Sequence, residues 1–76
     1  MRRPINAEPP GRLMWSTAEV AEVIGWRVRR TRNWLLRAGG LRRHGRHYYT
    51  AALGVRRAFP EIADDVIARL LARDLD

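Results

Sequence analysis

The 76-residue chain has no cysteine and no lysine, and no acidic residue stands between Glu22 and Glu61. Lack of cysteine excludes disulfides and thiolate metal ligands, and it suits a reducing compartment. No apolar run approaches the ~20 residues of a bilayer crossing. The proline-bearing, polar segment from Met1 to Gly11 also lacks the apolar stretch of a secretion signal. Together these absences predict a cytoplasmic protein with no membrane partner. A domain of this size buries only about 60% of its unfolded surface, which leaves little room for an enclosed active site. No nucleophile has a base within reach on a local motif, and no glycine loop is arranged to cradle a phosphate. The chain therefore reads as a non-enzyme without a cofactor. His44 and His47 are three apart, but with no cysteine or acid nearby they do not make a metal site.

What is present is charge of one sign. The formal net charge is +7, and all 15 Lys-or-Arg positions are arginine. Ten arginines from Arg27 to Arg57 have no carboxylate among them, whereas acids outnumber Arg69 and Arg73 after Glu61. Coding bias accounts for arginine in place of lysine; it does not account for acids missing from the middle of the chain. Such a block concentrates positive potential and favours a polyanion, whose counterions are released on binding.

The apolar pattern predicts one mainly helical domain over residues 13–76, with a small β-hairpin, preceded by a flexible arm over 1–12 that carries Arg2 and Arg3. Ser16 and Glu19 form a capping box, and Trp15 with Val20 a hydrophobic staple, so a helix is expected over about 17–24, ended by Gly25. Leu13 and Met14 fit a short strand or packing segment. A second helix follows over about 27–38, burying Thr31, Trp34, Leu35 and Ala38 and exposing Arg29, Arg30, Arg32, Asn33 and Arg37. Gly39-Gly40 stops it. LRRHGRHYYT then reads as a hairpin over about 41–49, turning at His44-Gly45. Thr50 is expected to cap a helix over about 51–59, with Leu53, Val55 and Phe59 on its apolar side. Pro60 suits the start of a last helix, about 61–73, striped by Ile62, Val66, Ile67, Leu70 and Leu71. Asp65, Arg69 and Arg73 are spaced for i, i+4 pairs on its wet side. Trp15 and Trp34 are expected in the core, with Trp26 partly exposed at the turn.

Two helices joined at Gly25, the second cationic and followed by a basic hairpin, have the anatomy of a DNA-reading helix-turn-helix. Gly25, Trp34, Leu35, Gly39 or Gly40, and Leu41, followed by His44-Gly45 and Tyr48-Tyr49, match a wider pattern. Ser16 to Thr50 resembles the winged helix-turn-helix of the MerR and excisionase superfamily, a likeness covering about half the chain. Trp26, Arg27 and Thr31 depart from that family's usual residues. The resemblance implies a recognition helix in the major groove and a wing along the backbone or minor groove. Carried onto this chain, it makes Arg29, Arg32 and Asn33 base readers, with Val28 an apolar contact. Bidentate arginine–guanine and asparagine–adenine pairs suit those roles. Arg27, Arg30 and Arg37 then clamp phosphate, and Arg42, Arg43, Arg46 and His47 form the wing contacts, with Arg56 and Arg57 as further backbone contacts.

The expected partner is double-stranded DNA, bound in sequence-specific fashion as a homodimer or in tandem. Ile62, Val66, Ile67 and Leu70 are the candidate self- or protein-interface, with closing the chain's own core as an equally good use of the stripe. The first expectation for biological use is a small transcriptional regulator of a phage or mobile element. An excisionase-like DNA-bending factor, a small terminase-like packaging subunit and a module binding an acidic protein are the alternatives.

Overall fold

The computed structural model describes residues 14–75, so the expected arm over 1–12 lies outside the described residues. Their order is β1 (Met14–Ser16), α1 (Thr17–Ile24), α2 (Val28–Arg37), β2 (Arg42–His44), β3 (His47–Ala51), α3 (Ala52–Ala58) and α4 (Ala63–Leu75). The fold is mainly helical, with a three-stranded antiparallel sheet ordered β1-β3-β2. No helix among the described residues is long and apolar enough to cross a membrane.

Local chemistry sets the start of α1. The Ser16 hydroxyl oxygen accepts from the Glu19 backbone N–H at 3.1 Å, and a Glu19 carboxylate oxygen accepts from the Ser16 N–H at 2.8 Å. These reciprocal bonds satisfy two donors that a helix N-terminus otherwise leaves open. Trp15 and Val20 flank the cap and are both fully buried. Trp15 is held further by its indole N–H, which donates to the Asp74 carboxylate at 3.0 Å and so ties β1 to the far end of α4. At the other end of α1, Gly25 takes a left-handed conformation, φ +87°, and its N–H and that of Trp26 both reach the Ala21 carbonyl. Only a residue without Cβ does this at little cost, so the chain turns at once toward α2.

Of the segment expected at Leu13 and Met14, Leu13 lies outside the described residues and Met14 opens strand β1, whose pairing governs the middle of the chain. Trp15 stands opposite Thr50 and Ser16 opposite Tyr49. This pairing carries β3 through Ala51, so Thr50 is a buried strand residue rather than the expected helix cap. Its hydroxyl donates to the Ala51 carbonyl at 3.3 Å, and α3 starts at Ala52 without a side-chain cap. Leu53, expected on the apolar side of α3, is 60% exposed; Val55 and Phe59 are buried.

Pro60 does not open the last helix. It occupies the second position of a turn in which the Ile62 N–H donates to the Phe59 carbonyl at 3.1 Å, a place that the fixed φ of proline suits. The helix begins at Ala63 and runs to Leu75, two residues later at each end than the stripe suggests. Val66, Ile67 and Leu70 are buried against Trp15, Val20, Leu35, Val55 and Phe59. Each such side chain contributes about 1.5–3 kcal/mol when removed from water. The stripe expected to offer a self- or partner-interface is thus consumed by the chain's own core, and Ile62, at 43% exposed, is the one of those four left outside.

One contact fixes how helix α2, the hairpin and α3 meet. Gly39 is left-handed at φ +71°, its N–H bonds to the Leu36 carbonyl, and the Gly40 N–H bonds to the Leu35 carbonyl at 2.8 Å, closing α2 in a Schellman motif. The chain then passes directly over α3. A Cβ on Gly40 would stand 2.9 Å from the Gly54 Cα, and one on Gly54 would collide with the Thr50 hydroxyl and the Gly40 carbonyl. Backbone rests on backbone here, which explains a glycine inside α3 where an isolated helix would lose about 1 kcal/mol relative to alanine.

Candidate nucleic-acid interface

Helix α2 buries Thr31 and Leu35, and the Thr31 hydroxyl is satisfied by donating to the Arg27 carbonyl at 3.0 Å. At about 100° per residue, the positions opposite this stripe are Arg29 and Asn33. Val28, Arg32 and Leu36 lie on one flank; Arg30, Trp34 and Arg37 lie on the other. All eight are exposed.

The structure divides the expected base-reading set. Arg29 and Asn33 join Arg27, Arg30, Trp34 and Arg37 around an open depression of about 420 Å³, so two expected base readers share a surface with the expected phosphate clamps. Val28 and Arg32 are on the far flank, beside Leu36. Leu36 is half exposed and was not among the expected contacts. Its spacing of i+4 from Arg32 and i+8 from Val28 was the signal available in the sequence.

Trp34 departs most from expectation. It is 43% exposed rather than core, because it sits about 80° from the centre of the Thr31–Leu35 stripe, at its edge. The ring is nevertheless held: its indole N–H donates to the Ala58 carbonyl at 2.7 Å. Trp26 packs edge-on against it with centroids 5.7 Å apart, and Phe59 lies nearly parallel at 6.4 Å. Trp26, half-buried, is also T-shaped against Phe59 at 5.3 Å. The Arg30 guanidinium rests 3.8 Å from the centre of the Trp26 ring, a cation–π contact that positions this cation.

The hairpin turns through Gly45 and Arg46. A φ of +63° at Gly45 and a negative φ at Arg46 give the sign pattern of a type II′ turn, whose twist matches antiparallel strands. Register assigns the hairpin's faces. His44 stands opposite His47 and Arg42 opposite Tyr49, which places these four side chains on one face; Arg43 and Tyr48 share the other. Both imidazoles lean edge-on toward Tyr49, at 5.7 and 6.3 Å between centroids. Arg42, Arg43, Arg46 and His47 are all exposed. Arg43 also braces the turn, its Nε donating to the Gly45 carbonyl at 2.8 Å.

Of the two further backbone candidates, Arg57 has its guanidinium beside Gly39, 4.0 Å from where a Cβ there would be, at the C-terminal end of α2. Arg56 is already engaged. It donates to the Asp64 carboxylate at 2.6 Å. By contrast, among the described residues Arg27, Arg29, Arg30, Arg32, Arg37, Arg42, Arg43, Arg46 and Arg57 take part in no ion pair. Nor does α2 have an acidic residue in its first turn or a side-chain cap at Arg27. The depression therefore combines at least four cations, an amide and an oriented indole, with no carboxylate on its lining.

Comparison of the chain with protein-family models, with curated proteins and with solved structures finds no match in any of the three.

Proposed function

We propose that the chain is a sequence-specific binder of duplex DNA, built as a winged helix-turn-helix. The observation that carries this reading is the row of exposed arginines on α2 and the hairpin with no ion-pair partner among the described residues. Side chains of one sign, left without internal counter-charge on an exposed helix face and ribbon, are matched by the phosphates of a groove. In this reading α1, the connection through Gly25 and α2 form the helix-turn-helix, with the exposed side of α2 in the major groove. The β2–β3 hairpin is the wing and lies along the backbone or minor groove. Arg29, Arg32 and Asn33 are the base readers, and Val28 and Leu36 suit thymine methyl groups. Arg30, Arg37, Arg42 and Arg46 hold phosphate.

The use we infer is small-scale transcriptional regulation, in which two copies occupy adjacent half-sites to make up for a small single interface. A DNA-bending factor would instead occupy tandem sites and bend them. The testing experiment is a salt titration of binding to random and to genomic duplex. Contact with about six phosphates gives a slope of log K against log salt near −5. Failure to bind either duplex at low salt removes the DNA reading and leaves an acidic protein as the partner to seek.

A further inference from the structure

The depression on the Trp34 flank of α2 contains more than attraction for a duplex phosphate requires. Cations alone suffice for a phosphodiester, yet here an indole stands among them, 43% exposed and locked in orientation by its bond to the Ala58 carbonyl and by Trp26 and Phe59. The exposed part of the ring lines the depression, and these restraints hold it in one orientation, as a platform. Beside it, Arg30 is held by its contact with Trp26, and Arg29, Arg37 and Arg27 complete a rim with no carboxylate. Asn33 adds an amide that both donates and accepts. Bases paired and stacked within a duplex offer no ring face to such a platform. An unstacked nucleotide offers one, together with a phosphate a few ångströms away.

We propose that this depression is a site for a single unpaired nucleotide, its phosphate on Arg30 and Arg37, its base against the Trp34 ring and its base edge toward Asn33. The proposal rests on the reading of α2 as the DNA-contacting surface and adds a preference to it: duplexes carrying a bulged or frayed base are favoured over perfect ones. Stacking of this kind tolerates any base, because each has a π-face. A free mononucleotide and an unpaired nucleotide within a strand share the chemistry.

The test is tryptophan emission of the full chain at low salt, titrated separately with dAMP, with inorganic phosphate, with a perfect duplex and with the same duplex carrying one unpaired adenine. Saturable quenching by dAMP and by the bulged duplex, with none from phosphate alone, is expected. The bulged duplex should bind about tenfold more tightly than the perfect one. Trp34→Leu should abolish the dAMP quench and bring the two duplexes to equal affinity. Should that variant lose its fold by circular dichroism, Arg37→Gln, which leaves the aromatic cluster in place, should weaken dAMP and the bulge preference instead. Quenching by dAMP without a bulge preference identifies the free nucleotide as the ligand; a bulge preference without dAMP quenching identifies the strand. If neither appears while perfect duplex still binds, the nucleotide site is overturned and the DNA reading stands. If perfect duplex is not bound either, both fall.

Discussion

Helices α2 and α4 are both amphipathic, of 10 and 13 residues, and both bury one side in the same core. They differ in what becomes of their charge. On α4, Arg69 pairs with Asp65 at 3.2 Å and Arg73 reaches Glu22 of α1 at 3.0 Å, while Asp64 takes Arg56 from α3. On α2, Arg29, Arg30, Arg32 and Arg37 have no carboxylate within their helix. Exposed pairs such as those of α4 are each worth about 0–1 kcal/mol, so their significance is not stability. They match each arginine of α4 with a carboxylate, whereas the arginines of α2 keep a field directed outward. Burial alone does not distinguish the two helices; internal neutralisation does.

The contrast can be broken in three ways. The largest effect should come from Leu70→Ala, whose side chain is 1% exposed, with a loss of about 3 kcal/mol in urea unfolding. Leu36→Ala on the outer flank of α2 should cost less than about 1 kcal/mol. Equal losses would mean that α4 is no more structural than α2. Next, Arg29→Glu combined with Arg37→Glu should lower duplex affinity by at least about 100-fold at low salt and flatten the salt slope by about one, for the phosphate held by Arg37. The matched reversal of Arg69 and Arg73 to Glu should change affinity by less than about threefold, since those arginines are already neutralised. A comparable loss from both pairs would refute the division of labour. The smallest effect sharpens the boundary between the two regions: Asp64→Asn frees Arg56, and affinity should rise about twofold to threefold with a salt slope steeper by about one. No change in slope would show that Arg56 is too far from the nucleic acid to contribute.

How much was legible depended on how local each determinant is. The start of α1 could be read because Ser16, Glu19, Trp15 and Val20 act within five residues of one another, and its end because Gly25 has an intrinsic freedom. Thr50 carries an equally good capping side chain, but it pairs with Trp15, 35 residues earlier, and no local pattern announces that partner. Pro60 satisfies two rules, first helical position and second turn position, and packing of Phe59 and Ala63 into the core decides for the turn. The candidate site was legible as an inventory of arginines. Its partition was not, because Trp34 lies at the edge of the apolar stripe, where a small rotation of α2 decides between core and surface. Gly54 gave no signal at all, since its reason is the chain passing over it from Gly40.

That crossing has a consequence for anyone re-engineering this molecule. A library randomised at positions 28, 29, 32, 33 and 36 would vary the chemistry offered to a ligand while leaving the frame intact. Position 40 or 54 admits no side chain without parting two segments of main chain, so members altered there would be lost before any selection for binding began. The angle between helix α2 and the hairpin is thus inherited as a constant, and new preferences must be written on the exposed side chains that this frame carries.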